Sequence, residues 1–168
     1  MYLLSLVFLF TPNAIAGPTA SLSHCKGTEI SYFNCQTKNR KIISLCGSAD
    51  LSKSTGYIQY RFGKPKKVEL EYPKDQKNSA AKFFYVHYSR SRTDYSILNF
   101  TNENTSYSVF DNSDEDSKPK SGAGVTISSE GKLDTHLNCK KPVISQLEKL
   151  KNIAACDPDD ALNMNQCK

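Results

Sequence analysis

His87, Ser89 and Asp94 are the local group in this 168-residue chain whose types match a base, a nucleophile and an orienting acid. Such a set would support acyl transfer, with the histidine taking the serine proton and the aspartate orienting the imidazole. Ser89 lies in Tyr88-Ser89-Arg90, without the Gly-x-Ser-x-Gly elbow that lifts a nucleophile out of a strained turn. Alternation instead puts His87 and Ser89 on one face of an ordinary strand. Glu69 and Glu71 share a strand face in the same way, roughly 7 Å apart by strand rise, within the range of a glycosidase carboxylate pair. Nothing around them signals a cleft, so an exposed charged face is expected. His24, Cys25, His136 and Cys139 offer zinc-ligand atoms but not the close ligand pairs of a closed zinc site. Asp157, Asp159 and Asp160 lack the alternating oxygens and the glycine of a calcium loop and read as helix caps. No catalytic residue, metal ligand or cofactor is assigned.

A binding surface is more legible. In Tyr57 to Phe62, Ile58, Tyr60 and Phe62 take one face of a strand, while Tyr57, Gln59 and Arg61 take the other. Exposed Tyr and Arg are enriched at interface hot spots, so Tyr57, Gln59, Arg61 and Lys64 are the expected binding residues, with Lys66 and Lys67 continuing the stripe. No groove-reading helix or RNA motif accompanies them, which argues against nucleic acid. The chain has no Trp, the usual flat platform for sugars, although nine tyrosines are present.

The elements that must position these groups are mostly strands. Runs rich in Tyr, Phe, Ile, Val and Thr, separated by Gly, Asn, Asp, Pro and Lys, predict up to nine strands between Glu29 and Cys139. The predicted fold is mainly β, an antiparallel barrel or sandwich of about eight strands. Thr37-Lys38-Asn39-Arg40 suits a hairpin that sets Cys35 opposite Ile42 and Cys46 opposite Ser31. Phe83 to Tyr88 is apolar on both faces and predicts a strand covered on both sides. Asp111 to Gly122, acidic and nearly without apolar residues, predicts a mobile loop. From Pro142, Ile144, Leu147, Leu150, Ile153 and Ala154 recur at helical spacing behind a Ser145/Glu148 capping box, predicting a helix to Ala155. A second short helix is expected from Pro158 to about Gln166.

An apolar run from Leu3 to Phe10 followed by Ala14-Ile15-Ala16 predicts a secretory signal over residues 1–16, too short to span a bilayer. The remainder, 17–168, is expected to be one β-rich domain without a membrane span, periplasmic or secreted. Cys25, Cys35, Cys46, Cys139, Cys156 and Cys167 all follow the cut, where an oxidising compartment allows pairing. Three lie early and three late, so full pairing demands at least one bridge between the two trios. Cys156 with Cys167 is the favoured local pair. The net charge of +5 favours anionic partners.

The segments Leu45-Cys46-Gly47-Ser48, Gly56 to Gly63, Val68 to Pro73 and Asp157 to Cys167 resemble an uncharacterised family of exported bacterial proteins. That resemblance implies export and a β-rich fold. Phe33-Asn34-Cys35, Ile42-Ile43 and Leu137-Asn138-Cys139 are more distantly similar to parts of the periplasmic inhibitors of C-type lysozyme. Their Ser-Gly-x-x-Tyr motif does not carry over, since Thr55-Gly56 leads to Gln59 and Ser121-Gly122 leads to Val125. The expected function is an exported envelope binding protein of inhibitor or immunity type, acting by surface occlusion on a protein or an anionic envelope component. The alternatives are an envelope hydrolase and a small-ligand carrier with an apolar barrel cavity.

Overall fold

The computed structural model describes residues 22–163 and Cys167, so the expected signal segment lies outside the described residues. Among the described residues ten strands run β1 (Ile30–Thr37), β2 (Ile42–Gly47), β3 (Ile58–Lys64), β4 (Lys67–Tyr72), β5 (Phe84–Arg90), β6 (Thr93–Asn102), β7 (Thr105–Asp114), β8 (Ser121–Ser129), β9 (Thr135–Ser145) and β10 (Ala155–Cys156). They form one sheet in the order β10-β5-β6-β7-β8-β9-β1-β2-β3-β4, curled into a half-barrel. All pairings are antiparallel except the two-residue β10 against β5.

Strand β9 holds the two halves together. Its first part pairs with β8, as in Val125↔Leu137, and its second with β1, as in Thr37↔Cys139 and Phe33↔Ser145. The Cys35–Cys139 disulfide sits at this handover, beside a register shift in which Lys141 to Val143 bulge past Cys35. Cys25–Cys46 and Cys156–Cys167 complete the set, so one bridge joins the early and late cysteines. In the first hairpin Cys46 faces Ser31, but Cys35 faces Ile43 rather than Ile42. The turn is centred on Asn39, with Arg40 left-handed at φ 60, and a bulge at Tyr32 restores the register beyond it.

The concave face carries the core. Phe33, Leu45, Ile58, Leu98, Val109 and Val125 are buried there, and at one end Tyr60, Tyr72, Phe83, Phe100 and Tyr107 pack ring on ring. Strand β5 is covered on both faces only at Tyr85 and Val86, where the chain's last segment crosses it.

Two expectations are corrected. No α-helix follows Pro142 among the described residues. Val143 to Ser145 prolong β9 along β1, and Leu147–Leu150 make one 3-10 turn that drives Leu147 and Leu150 into the core. A 3-10 turn brings i and i+3 onto one face as a helix does, so the same spacing serves both. Strand pairing and the bond from the Gln146 amide to the Tyr32 carbonyl (2.7 Å) override a weak local propensity. Half of the expected loop at Asp111 to Gly122 is also strand, because both β7 and β8 continue into it and leave residues 115–120 as the turn. Backbone pairing needs no apolar side chains, and those residues are polar because the half-barrel is open there.

Candidate functional site

The face expected to bind a partner is largely internal. Gln59 and Arg61 are 2% and 1% exposed, Tyr57 is half-buried, and Lys64 alone of the four is exposed. The segment ahead of β1, tied down by Cys25–Cys46, folds over this side of β3 and lays Glu29 against Arg61. A guanidinium has five N–H donors, and here each is used. Nη1 donates to Glu29 Oε2 (2.6 Å) and the His24 carbonyl (3.1 Å), Nη2 to Glu29 Oε1 (2.8 Å) and Gln59 Oε1 (2.7 Å), and Nε to Glu71 Oε1 (2.8 Å). Gln59 donates to the Pro73 carbonyl (2.8 Å), and Tyr57 donates to Glu29 (2.8 Å). The network is fully paired and structural, which corrects the reading of this face as an exposed surface.

It also sets an acid response. Burial by itself would raise the Glu29 carboxyl, but the Arg61 bonds, the Lys26 amide, the Tyr57 hydroxyl and the Arg61 charge outweigh it and hold the group down to about 2, from an ordinary 4.5. A carboxyl depressed in the folded state contributes stability above its unfolded pKa, and that stability drains away as pH falls from about 4.5 to about 2. The shift corresponds to on the order of 3 kcal/mol. Urea unfolding followed between pH 6 and 2 should show this slope, and Glu29→Gln should flatten it, with its loss of stability greatest at pH 6 and shrinking toward pH 2. An unchanged slope in the variant would remove Glu29 as its source.

The polar groups that remain open to solvent converge elsewhere. Across the concave face the strand register aligns Tyr85, Leu98, Val109, Val125 and Leu137 in one row, all but Leu137 buried. The next row is His87, Ser96, Asp111 and Ala123, and the one after it Ser89, Asp94, Ser113 and Ser121. The face thus changes from apolar to polar within two residues on β5, β6 and β7, and within four on β8. Asp94, Ser96, Asp111 and Ser113 line a cleft of about 310 Å³ closed on its other side by Ser145, Leu147 and Glu148. His87 Nε2 lies 3.1 Å from Asp94 Oδ2, and the Ser96 and Tyr85 hydroxyls are 3.3 Å apart. A second cavity of about 640 Å³ shares Asp111 and runs to Ser121, Cys139 and Lys141. Three carboxylates and no cation line the smaller cleft, so its chemistry suits a positively charged group.

Sequence reasoning named His87, Ser89 and Asp94 but missed Ser96, Asp111, Ser113, Ser145 and Glu148. The signal was present as Asp-x-Ser at 94–96 and 111–113, a polar pair on one strand face. The other sets are taken apart. Glu69 pairs with Lys41 (2.6 Å) and Glu71 with Arg61, so they do not form an acid–base couple. The sulfurs of Cys25 and Cys139 are in disulfides. Asp160 accepts the Leu162 amide (2.9 Å) and caps a short 3-10 turn at Ala161–Asn163, while Asp157 accepts the Asp159 amide (3.1 Å) ahead of it; among the described residues no helix follows Pro158, and the rest of the expected helix, 164–166, lies outside them.

Fold and site together define a mainly antiparallel β protein, stapled by three disulfides of the kind typical of extracellular or periplasmic proteins, with its half-barrel open at a polar end. No described helix is long and apolar enough to cross a membrane. No family model, curated protein or solved structure matches the chain.

Proposed function

We propose that the protein is an exported binding protein that acts by occlusion, taking a cationic group of a partner protein into the cleft between Asp94, Asp111 and Glu148. The supporting observation is the alignment of polar side chains from β6 and β7 on the concave face, facing Ser145 and Glu148, in a cleft large enough for one long basic side chain. The frame around it is braced, with β9 and the Cys35–Cys139 bridge joining the two halves of the sheet. A basic partner side chain would exchange water for charge-assisted bonds to carboxylates, the stronger kind of hydrogen bond. The carrier alternative has less in its favour, because aromatic rings fill the apolar end of the half-barrel. A hydrolase would draw on the His87–Asp94 bond, but among the described residues no serine bonds the other ring nitrogen.

The test is capture from envelope and secreted fractions by the oxidised protein and by Asp94→Asn with Asp111→Asn. A saturable partner should be retained by the native protein and lost at least tenfold in the variant, whose unfolding midpoint stays unchanged. Equal retention by both proteins, or no saturable partner, sinks the proposal.

A further inference from the structure

Outside the cleft, two adjacent turns build a dense positive feature. Strand β2 lies between β1 and β3 and pairs Ile42 with Gly63, so the β1–β2 turn and the β3–β4 turn emerge side by side at one end of the sheet. The first carries Lys38, Arg40 and Lys41, and the second Lys64, Lys66 and Lys67. All but Lys41 are exposed, and Lys41 is drawn down to Glu69 and over the Phe62 ring, 5.0 Å from its centroid. On the other flank of β1, Lys140 is exposed opposite Gln36. The Glu69 carboxyl is held below its ordinary value, first by the Lys41 bond and further by the charges of Lys64 and Lys67, which places both turns in one field. That field is far from neutral, whereas the chain as a whole carries only +5.

The chemistry of the patch distinguishes among anionic partners. Lysine supplies compact point charges rather than the planar fork that reads a carboxylate or a base edge. No exposed aromatic ring stands among these residues to stack a base, as single-stranded nucleic acids require. Pro65 is exposed at the tip of the β3–β4 turn, and Val68 is 42% exposed just behind it. Apolar groups interleaved with lysines on a protruding turn suit an interface that offers phosphate headgroups above hydrocarbon.

We infer that the paired β1–β2 and β3–β4 turns dock the protein on a phosphate-bearing anionic lipid surface, leaving the cleft free for its partner. The inference rests on the exported reading above, since export brings the chain to such a surface. Each lysine near an anionic leaflet strengthens binding about fivefold.

The experiment is cosedimentation of the oxidised protein with phosphatidylglycerol-containing vesicles and with pure phosphatidylcholine vesicles, over a salt series. The native protein should bind the first and not the second, with affinity falling as salt rises. Lys64→Gln with Lys66→Gln and Lys67→Gln should weaken binding about a hundredfold. Lys149→Gln with Lys151→Gln, elsewhere on the surface, should leave it unchanged. Equal binding by the two triple- and double-substituted proteins, binding to neutral vesicles, or binding to a short oligonucleotide but not to vesicles would each overturn the lipid surface. The two readings fail separately: absent vesicle binding removes the docking surface alone, whereas an unprocessed chain resident in the cytosol removes the export on which it rests.

Discussion

Replacing Arg61 with methionine should destabilise the protein by about 3–5 kcal/mol, the range for breaking a buried ion pair from one side. The guanidinium and the Glu29 carboxylate are each 1% exposed, so neither can turn to water when its partner is removed. Methionine fills part of the volume but offers no donor. Glu29 would keep the Lys26 amide and the Tyr57 hydroxyl and lose both bonds from Arg61, while Glu71 and Gln59 would each lose one. A carboxylate so stranded takes up a proton, and the acid slope assigned to Glu29 should disappear with it. Adding Glu29→Gln to Arg61→Met should recover part of the loss, because a neutral amide is cheaper to bury than an unpaired charge. Urea unfolding of the single and double variants decides the matter. A loss below about 1 kcal/mol, within the range of exposed pairs, would mean that the network is hydrated in solution. The same result bears on function, because a partner lost on Arg61→Ala would report a damaged fold rather than a missing contact.

Removing the Cys35–Cys139 bridge as the paired alanine variant should cost about 4–5 kcal/mol, more than either of the other two disulfides. The reasoning lies in the unfolded chain, where this bridge closes a loop with a sequence separation of 104 against 21 for Cys25–Cys46 and 11 for Cys156–Cys167. The chain-entropy relation then puts the smallest loop at about 3 kcal/mol and the middle one slightly above it. Position reinforces length. Cys35 is 1% exposed in the core, and its partner is the residue at which β9 passes from β8 to β1. Chemical unfolding of the three paired variants should rank them by loop length, with the Cys35/Cys139 variant the least stable. A reversed order would show that the bridges act mainly on the native packing. Loss of cleft-dependent partner capture in this variant, with β structure retained, would tie the rigidity of the half-barrel to binding.

The nine strands between Glu29 and Cys139 were legible because strand signals are local: alternation of Val, Ile, Tyr and Phe with polar residues, punctuated by turn formers, needs no knowledge of the partner strand. Even the boundaries of β4 coincide with its run of alternating residues. The parity of the cysteines was legible for a similar reason, since any full pairing of three early with three late residues must cross between them. Periodicity was less decisive where two structures share it. Leu147 and Leu150 lie on one face in a 3-10 turn as in an α-helix, and the competing pairing of Val143 to Ser145 with β1 is invisible in the local sequence.

The amino-acid sequence by itself determined a β-rich, cysteine-bridged chain, because backbone preference and side-chain alternation act over a few residues. The tertiary structure decided what those strands do with their charges. Arg61 is internal only because the segment around Cys25 and Glu29 crosses the outer side of β3, a contact between residues 32 apart. The cleft exists only because the registers of β5, β6, β7 and β8 bring His87, Ser96, Asp111 and their neighbours into adjacent rows, with Glu148 closing from beyond β9. Burial and convergence depend on which strands lie beside one another, and a one-residue slip of any one of these strands would turn its side chains to the opposite face and break the polar row.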